Sequence, residues 1–241
     1  MRSVFRSVLV ALVAVLALGA VVSASAFASP GWEVKEGGAW KALGTGESRN
    51  VMVEGGTQVM AWSYSQGTSI VFTCGTVRST GKIVGGNPGT GEVSSISYSE
   101  CGVSNISGCE LKSPGNRAGK ITTANAETTL VTFEGGGTGE KFSHGGSGTW
   151  FEVEIGKEEN ETTHKFKKAC GALPTMKLVG VGTVVSKLET GAGGNLGESF
   201  AFTSPGQEGN DLTLASKPLT IAGSEVQAPA SGEGEALRVA P

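Results

Sequence analysis

Trp150-Phe151-Glu152-Val153-Glu154-Ile155 alternates apolar and acidic residues after its first tryptophan. In an extended chain successive side chains point to opposite faces, so Phe151, Val153 and Ile155 share one face and Glu152 and Glu154 the other. One face is built to be buried and the other to be wet, the signature of an antiparallel strand laid on a core. Outward from this segment, short β-branched and aromatic runs recur: Gln58–Trp62, Ser69–Cys74, Glu92–Tyr98, Thr128–Glu134, Thr162–Lys168, Gly182–Leu188, Ser199–Phe202 and Asp211–Ala215. Turn signals separate them at Gly85-Gly86-Asn87-Pro88-Gly89, Gly135-Gly136-Gly137, Gly145-Gly146 and Gly191–Asn195. No amphipathic helix stands out. The pattern predicts an all-β domain, antiparallel, arranged as a β-sandwich or jelly-roll with glycine-rich hairpin turns.

The first 28 residues have a different grammar. Arg2 and Arg6 precede an apolar run from Val8 to Val22, and Ala26-Phe27-Ala28 supplies a small-x-small cleavage site. That is the three-part pattern of a secretory signal peptide, and its apolar run is shorter than the roughly 20 residues that cross a bilayer. We therefore expect export, cleavage after Ala28 and no membrane anchor in the mature protein. Residues 29–50 (SPGWEVKEGGAWKALGTGESRN) read as a loosely ordered N-terminal section and 51–241 as a single β domain. Ala222–Pro241 reads as a tail in which Glu235–Val239 alternates well enough for a last strand.

Losing Arg2 and Arg6 with no acid moves the net charge from −3 to −5. An acidic chain is ill suited to a phosphate backbone. The basic run Lys165-Phe166-Lys167-Lys168 directly follows Glu158, Glu159 and Glu161, so nucleic acid is excluded as a partner. The four cysteines, Cys74, Cys101, Cys109 and Cys170, lack a Cys-x-x-Cys pair and follow an export signal. They read as a disulfide framework rather than a zinc site. Three connectivities are open, and we expect Cys101–Cys109 across the short GVSNISG loop with Cys74–Cys170 joining distant strands.

The constellations that carry chemistry are incomplete. Gly115-Asn116-Arg117-Ala118-Gly119-Lys120-Ile121 lacks the first glycine and the final Ser or Thr of a phosphate loop, and Gly191–Leu196 lacks the third glycine of a dinucleotide turn. His144, His164 and Asp211 have no Gly-x-Ser-x-Gly elbow to serve. Glu152 and Glu154 approach the same-face acid motif of jelly-roll glycosidases, but Gly156 stands where the second glutamate is required. A single aspartate, Asp211, rules out an Asp-rich calcium loop and leaves glutamate and carbonyl oxygens open as ligands. Leu173–Lys177 lacks the Thr-Gly ending of a sortase signal. We assign no catalytic, cofactor-binding or metal residues. Among the aromatics, Trp62 and Trp150 read as core, and Trp32 and Trp40 fall in the loose N-terminal section, which leaves a sugar-stacking platform weakly supported.

The series Val71-Phe72-Thr73-Cys74-Gly75, Gly81-Lys82-Ile83, Tyr98-Ser99-Glu100-Cys101, Cys109-Glu110-Leu111, Gly119-Lys120-Ile121, Cys170-Gly171 and Val179-Gly180 resembles a family of uncharacterised exported proteins, multiplied as paralogues in high-GC soil bacteria. The likeness covers residues 68–240. It implies export, a four-cysteine frame and a β-rich fold, and no activity. The expectation from the whole sequence is a non-enzymatic extracellular or cell-envelope protein acting in surface recognition or as an envelope component, with a glycan-binding module and an envelope glycosidase as alternatives and no cofactor.

Overall fold

The computed structural model describes residues 29–134, 136–144, 148–171, 173–190, 196–200 and 211–240. The expected signal peptide lies outside them. The described residues contain strands and turns and no helix, as the alternation predicts.

Three strands form a small separate sheet: β1 (Gly31–Glu36), β2 (Ala39–Ala42) and β20 (Ala236–Ala240), in the order β2-β1-β20. The rest of the chain makes eight long spans, each crossing the molecule and turning back. They are β3 (Ser48–Gly55) with β4 (Gln58–Ser65); β5 (Thr68–Cys74) with β6 (Thr76–Val84); β7 (Thr90–Ser99) with β8 (Gly102–Val103); and β9 (Glu110–Lys112) with β10 (Ile121–Thr122) and β11 (Ala126–Thr132). Then follow β12 (Thr138–Ser143) with β13 (Phe151–Glu159), β15 (Met176–Val181) with β16 (Thr183–Thr190), β17 (Leu196–Phe200) with β18 (Thr213–Leu214), and the single long β19 (Lys217–Pro229). Strand β14 (Phe166–Lys168) folds back on the end of β13.

Each span pairs antiparallel with the next, and the eighth returns to the first. In the upper half the ring runs β3-β6-β7-β11-β12-β16-β17-β19 and back to β3. In the lower half it runs β4-β5-β8-β9-β13-β15-β18-β19 and back to β4. The result is one closed, eight-stranded up-and-down barrel, tall enough to be read as two storeys. This corrects the sandwich or jelly-roll expected from the sequence. Alternation reports which face of a strand is buried, not whether the last strand finds the first, and closure leaves no free edge to protect.

The strand interiors carry the core. Trp62, Phe72, Leu111, Ile155 and Leu214 fill the lower half. At the top, Trp32 and Leu237 of the small sheet pack onto Ile83, Leu130, Leu188 and Leu196, so the sheet caps that end of the barrel. The Trp32 indole N–H donates to the Thr90 carbonyl at 2.9 Å. Residues 29–50, expected to be loose, are thus tied down by pairing with the C-terminal strand, a partner more than 190 residues away that no local pattern reveals.

All four cysteines are oxidised, as expected, but the pairing is Cys74–Cys101 and Cys109–Cys170. The correction follows from the ladder. The Gly75 N–H donates to the Ser99 carbonyl and brings Cys74 and Cys101 onto facing chains, with Cα atoms 3.9 Å apart. Cys109 is left to tie the β9 span to the segment after β14 through Cys170. Two disulfides are consistent with an extracytoplasmic location.

Candidate functional site

Glu152 and Glu154 face outward from β13, as the alternation predicts, and both are engaged. Glu152 pairs with Lys177 of the neighbouring β15 at 2.8 Å, and Glu154 with Lys112 of β9 at 3.3 Å. Lys112 is 1% exposed, held also by Glu159 at 3.6 Å, by the carbonyls of Asn116 and His164, and by the face of Phe166 at 5.4 Å. These contacts tie β9 and the loop after it to β13, β14 and the turn between them. Gly156 is glycine because Phe166 lies against it: a Cβ there would meet the Phe166 Cβ at 2.4 Å. His164 sits in the β13–β14 turn beside Glu159. Asp211 accepts from the Thr183 N–H and hydroxyl and holds a turn. His144 follows Ser143, the cross-strand partner of Thr183, and its Nδ1 lies 2.9 Å from the Asn125 carbonyl. Asp211 and His144 thus flank one cross-strand pair, Ser143 and Thr183, while His164 lies at the far end of β13 with Glu159 beside it.

The aromatic rings are structural. Trp62 and Trp150 are buried, as expected, and so is Trp32. Trp62 donates its N–H to the Leu214 carbonyl at 2.7 Å and meets Tyr64 edge-on, not coplanar. Trp40 is covered by the Arg238 guanidinium at 4.4 Å.

Two places remain. The first is a groove of about 830 Å³ on the outside of the upper half, crossing β3, β6, β7 and β11. Its shape has a local cause. The β6–β7 register slips between Thr80 and Gly81, which leaves Ser94 as an extra residue on β7 and bends the sheet there. Ser94 donates to the Thr80 carbonyl at 2.8 Å. Lys82 and Glu92 form an exposed pair at 3.3 Å across the groove floor, and Met52 stands 45% exposed on its wall. With Asn125, Glu127 and His144 also lining it, the groove offers hydroxyl, amide, imidazole and both charge signs.

The second place is inside the barrel. Ala126, Thr128 and Leu130 follow one another along the inner face of β11, and Val184, Ser186 and Leu188 along that of β16. The sequence apolar, polar, apolar repeats, and it marks a polar layer between the lower core and the capped top. Glu140 (1% exposed), Glu225, Gln227 and Gln58 fill that layer. The Gln227 amide donates to a Glu140 carboxylate oxygen at 2.8 Å, and the Gln58 amide lies 3.4 Å from Glu225 Oε1. Burial, and then the negative charge of Glu140, push the Glu225 carboxyl up to about 7. Sequence reasoning missed this layer. The signal was present in β19, where the alternation is inverted: Val226 is exposed while Glu225 and Gln227 point inward.

No protein-family model matches the chain, and no curated protein or solved structure matches it significantly.

Proposed function

We propose that this protein is exported and acts without catalysis at the cell envelope or outside the cell, recognising a partner through the outer groove of the upper half-barrel. The groove itself carries the reading: a bulge bends one face of an otherwise convex barrel and sets hydroxyl, amide and charged groups around an exposed methionine. Bulges commonly re-aim side chains beside working sites. The two disulfides suit an oxidising compartment. On β3 and β6 the outer faces carry mainly charges and hydroxyls while Val51, Val53, Val77 and Ile83 point in, the reverse of a barrel that faces lipid. The non-catalytic reading is supported by the ion pairs that occupy Glu152 and Glu154.

A glycan is the favoured class of partner, because the groove's groups match a polyhydroxylated surface and hydrogen bonds would stand in for ring stacking. The test is a glycan array and purified wall polymer, probed with the oxidised protein and with Ser94→Trp, which fills the groove. Wild type should bind at least one glycan, and the variant should lose about tenfold or more in affinity with its unfolding midpoint unchanged. Equal binding by both proteins, or hydrolysis of the glycan, would overturn the reading.

A further inference from the structure

We propose that the glycan held in the outer groove carries free amino sugars, whose ammonium groups are read by Glu127 beside Glu92. This rests on the groove being the binding site and names the class of sugar it takes.

One row of side chains crosses the groove from strand to strand. Asn50 of β3 pairs with Lys82 of β6, Lys82 with Glu92 of β7, Glu92 with Glu127 of β11, and Glu127 with Ser143 of β12. All five lie on the outer face, because their chain neighbours Val51, Ile83, Val93, Ala126 and Phe142 are buried. Lys82 holds Glu92 at 3.3 Å, but from the side away from β11. Glu127 is exposed, and the residues facing it are a second carboxylate and a serine. Like charges directly opposite one another on a sheet are destabilising.

The chain supplies no cation for the Glu127 carboxylate. Among the described residues none forms an ion pair with it, and Lys141, two residues along β12 from Ser143, stands opposite Thr129 instead. The stretches after residue 28 that lie outside the described residues contain no lysine, arginine or histidine in their sequence. Ser143 turns its hydroxyl to the Glu127 backbone carbonyl at 3.4 Å rather than to the carboxylate. With His144 neutral, the groove is therefore lined by one lysine and two glutamates, and the unmatched charge is that of Glu127.

Three classes of sugar can be weighed against that lining. A uronic acid or a phosphate-bearing sugar brings another negative charge to Glu92 and Glu127. A neutral sugar leaves the charge uncompensated, and an N-acetyl group adds a carbonyl oxygen beside a carboxylate. A ring ammonium brings a positive charge and three donors, and it can lie between the two facing acids. The neighbouring groups suit the rest of the ring. Ser94 gives its hydrogen to the Thr80 carbonyl at 2.8 Å and keeps a lone pair for a sugar hydroxyl. Met52, 45% exposed, offers an apolar surface to ring C–H groups.

Oxidised wild type, Glu127→Gln and Ser94→Trp are titrated calorimetrically with glucosamine oligomers, with N-acetylglucosamine oligomers of the same length, and with a lysine oligomer of equal charge. Wild type should bind the glucosamine oligomers about fivefold or more tighter than the acetylated ones, and salt at about 0.5 M should remove most of that preference. Glu127→Gln should cut the preference to under about twofold, while unfolding no earlier than wild type because Glu92 loses a facing like charge. Equal binding of both sugars by wild type, weakened for both by Ser94→Trp, would overturn the amino-sugar assignment and leave the groove reading standing. A lysine oligomer bound as tightly as the glucosamine oligomer would overturn the assignment too, since charge alone would then be read. Sugar binding that Ser94→Trp leaves untouched would place the site elsewhere, and both readings would fall.

Discussion

The two halves of one barrel are built on opposite terms. In the lower half, Trp62, Phe72, Leu111, Ile155 and Leu214 fill the interior, and both disulfides lie at or below the waist. In the upper half the same eight spans enclose Glu140, Glu225, Gln58 and Gln227, and no described cysteine braces them. A protein that needed only a stable shell would continue the apolar filling to the top, because apolar packing in place of buried charge is often neutral or stabilising. The polar layer therefore reads as a place where stability has been given up for a purpose, and the lower half as the part that makes that tolerable.

The largest expected effect tests the lower half. The Cys109–Cys170 bond joins residues 61 apart, which in the chain-entropy account is worth about 4 kcal/mol. Cys109→Ser with Cys170→Ser should lower the guanidinium unfolding midpoint accordingly. If the cost is under about 1 kcal/mol, the lower half does not depend on its staple in this way.

The next effect tests the upper half. In the folded chain the Glu225 carboxyl is held near 7 by burial and by Glu140, against 4.5 for the ordinary group. The folded state thus keeps a proton that the unfolded chain releases. The stability this contributes is complete below about 4.5 and is lost as pH rises through about 7. Between pH 5 and pH 8 the protein should lose roughly 2 to 3 kcal/mol, and Glu225→Gln should lose much less. Denaturant titrations at the two pH values decide it. A wild-type protein as stable at pH 8 as at pH 5 would mean that the layer is not as dry as its burial implies.

What the sequence disclosed divides along the same line. Phe151, Val153 and Ile155 point in and Glu152 and Glu154 out, as their alternation says, and the oxidation of all four cysteines was equally readable. These features sit in the lower half, where inward means apolar. In Lys217–Pro229 and Thr138–Ser143 the inward positions include Glu225, Gln227 and Glu140 beside Leu219, Ile221 and Phe142, so a reading that equates apolar with buried passes over the polar part of both strands. Closure was hidden for another reason: the β3–β19 pairing joins the two ends of the chain, and nothing local encodes it. The cysteine pairing depended on that same arrangement of neighbours.

The smallest effect separates two acids that alternation makes equivalent. Glu152 and Glu154 share the outer face of β13, and by sequence alone both are ordinary surface carboxylates whose replacement should cost little. Their partners differ. Lys177, diagonal to Glu152 on β15, is half exposed, so the pair is hydrated and its attraction is offset by the entropy of holding two side chains. Lys112, across from Glu154, is buried, and its charge depends on Glu154 and Glu159 for compensation. Removing one partner of a buried ion costs more than the pair contributes, because the remaining charge stays desolvated. Glu159 limits the damage, so Glu154→Gln should cost about 1 to 2 kcal/mol, while Glu152→Gln stays within about 0.5 kcal/mol. Thermal unfolding of the two single variants at neutral pH separates them. Equal midpoints would show that the lower end tolerates an underpaired lysine, and that its loops are fastened by Phe166 and the backbone carbonyls around Lys112 rather than by charge.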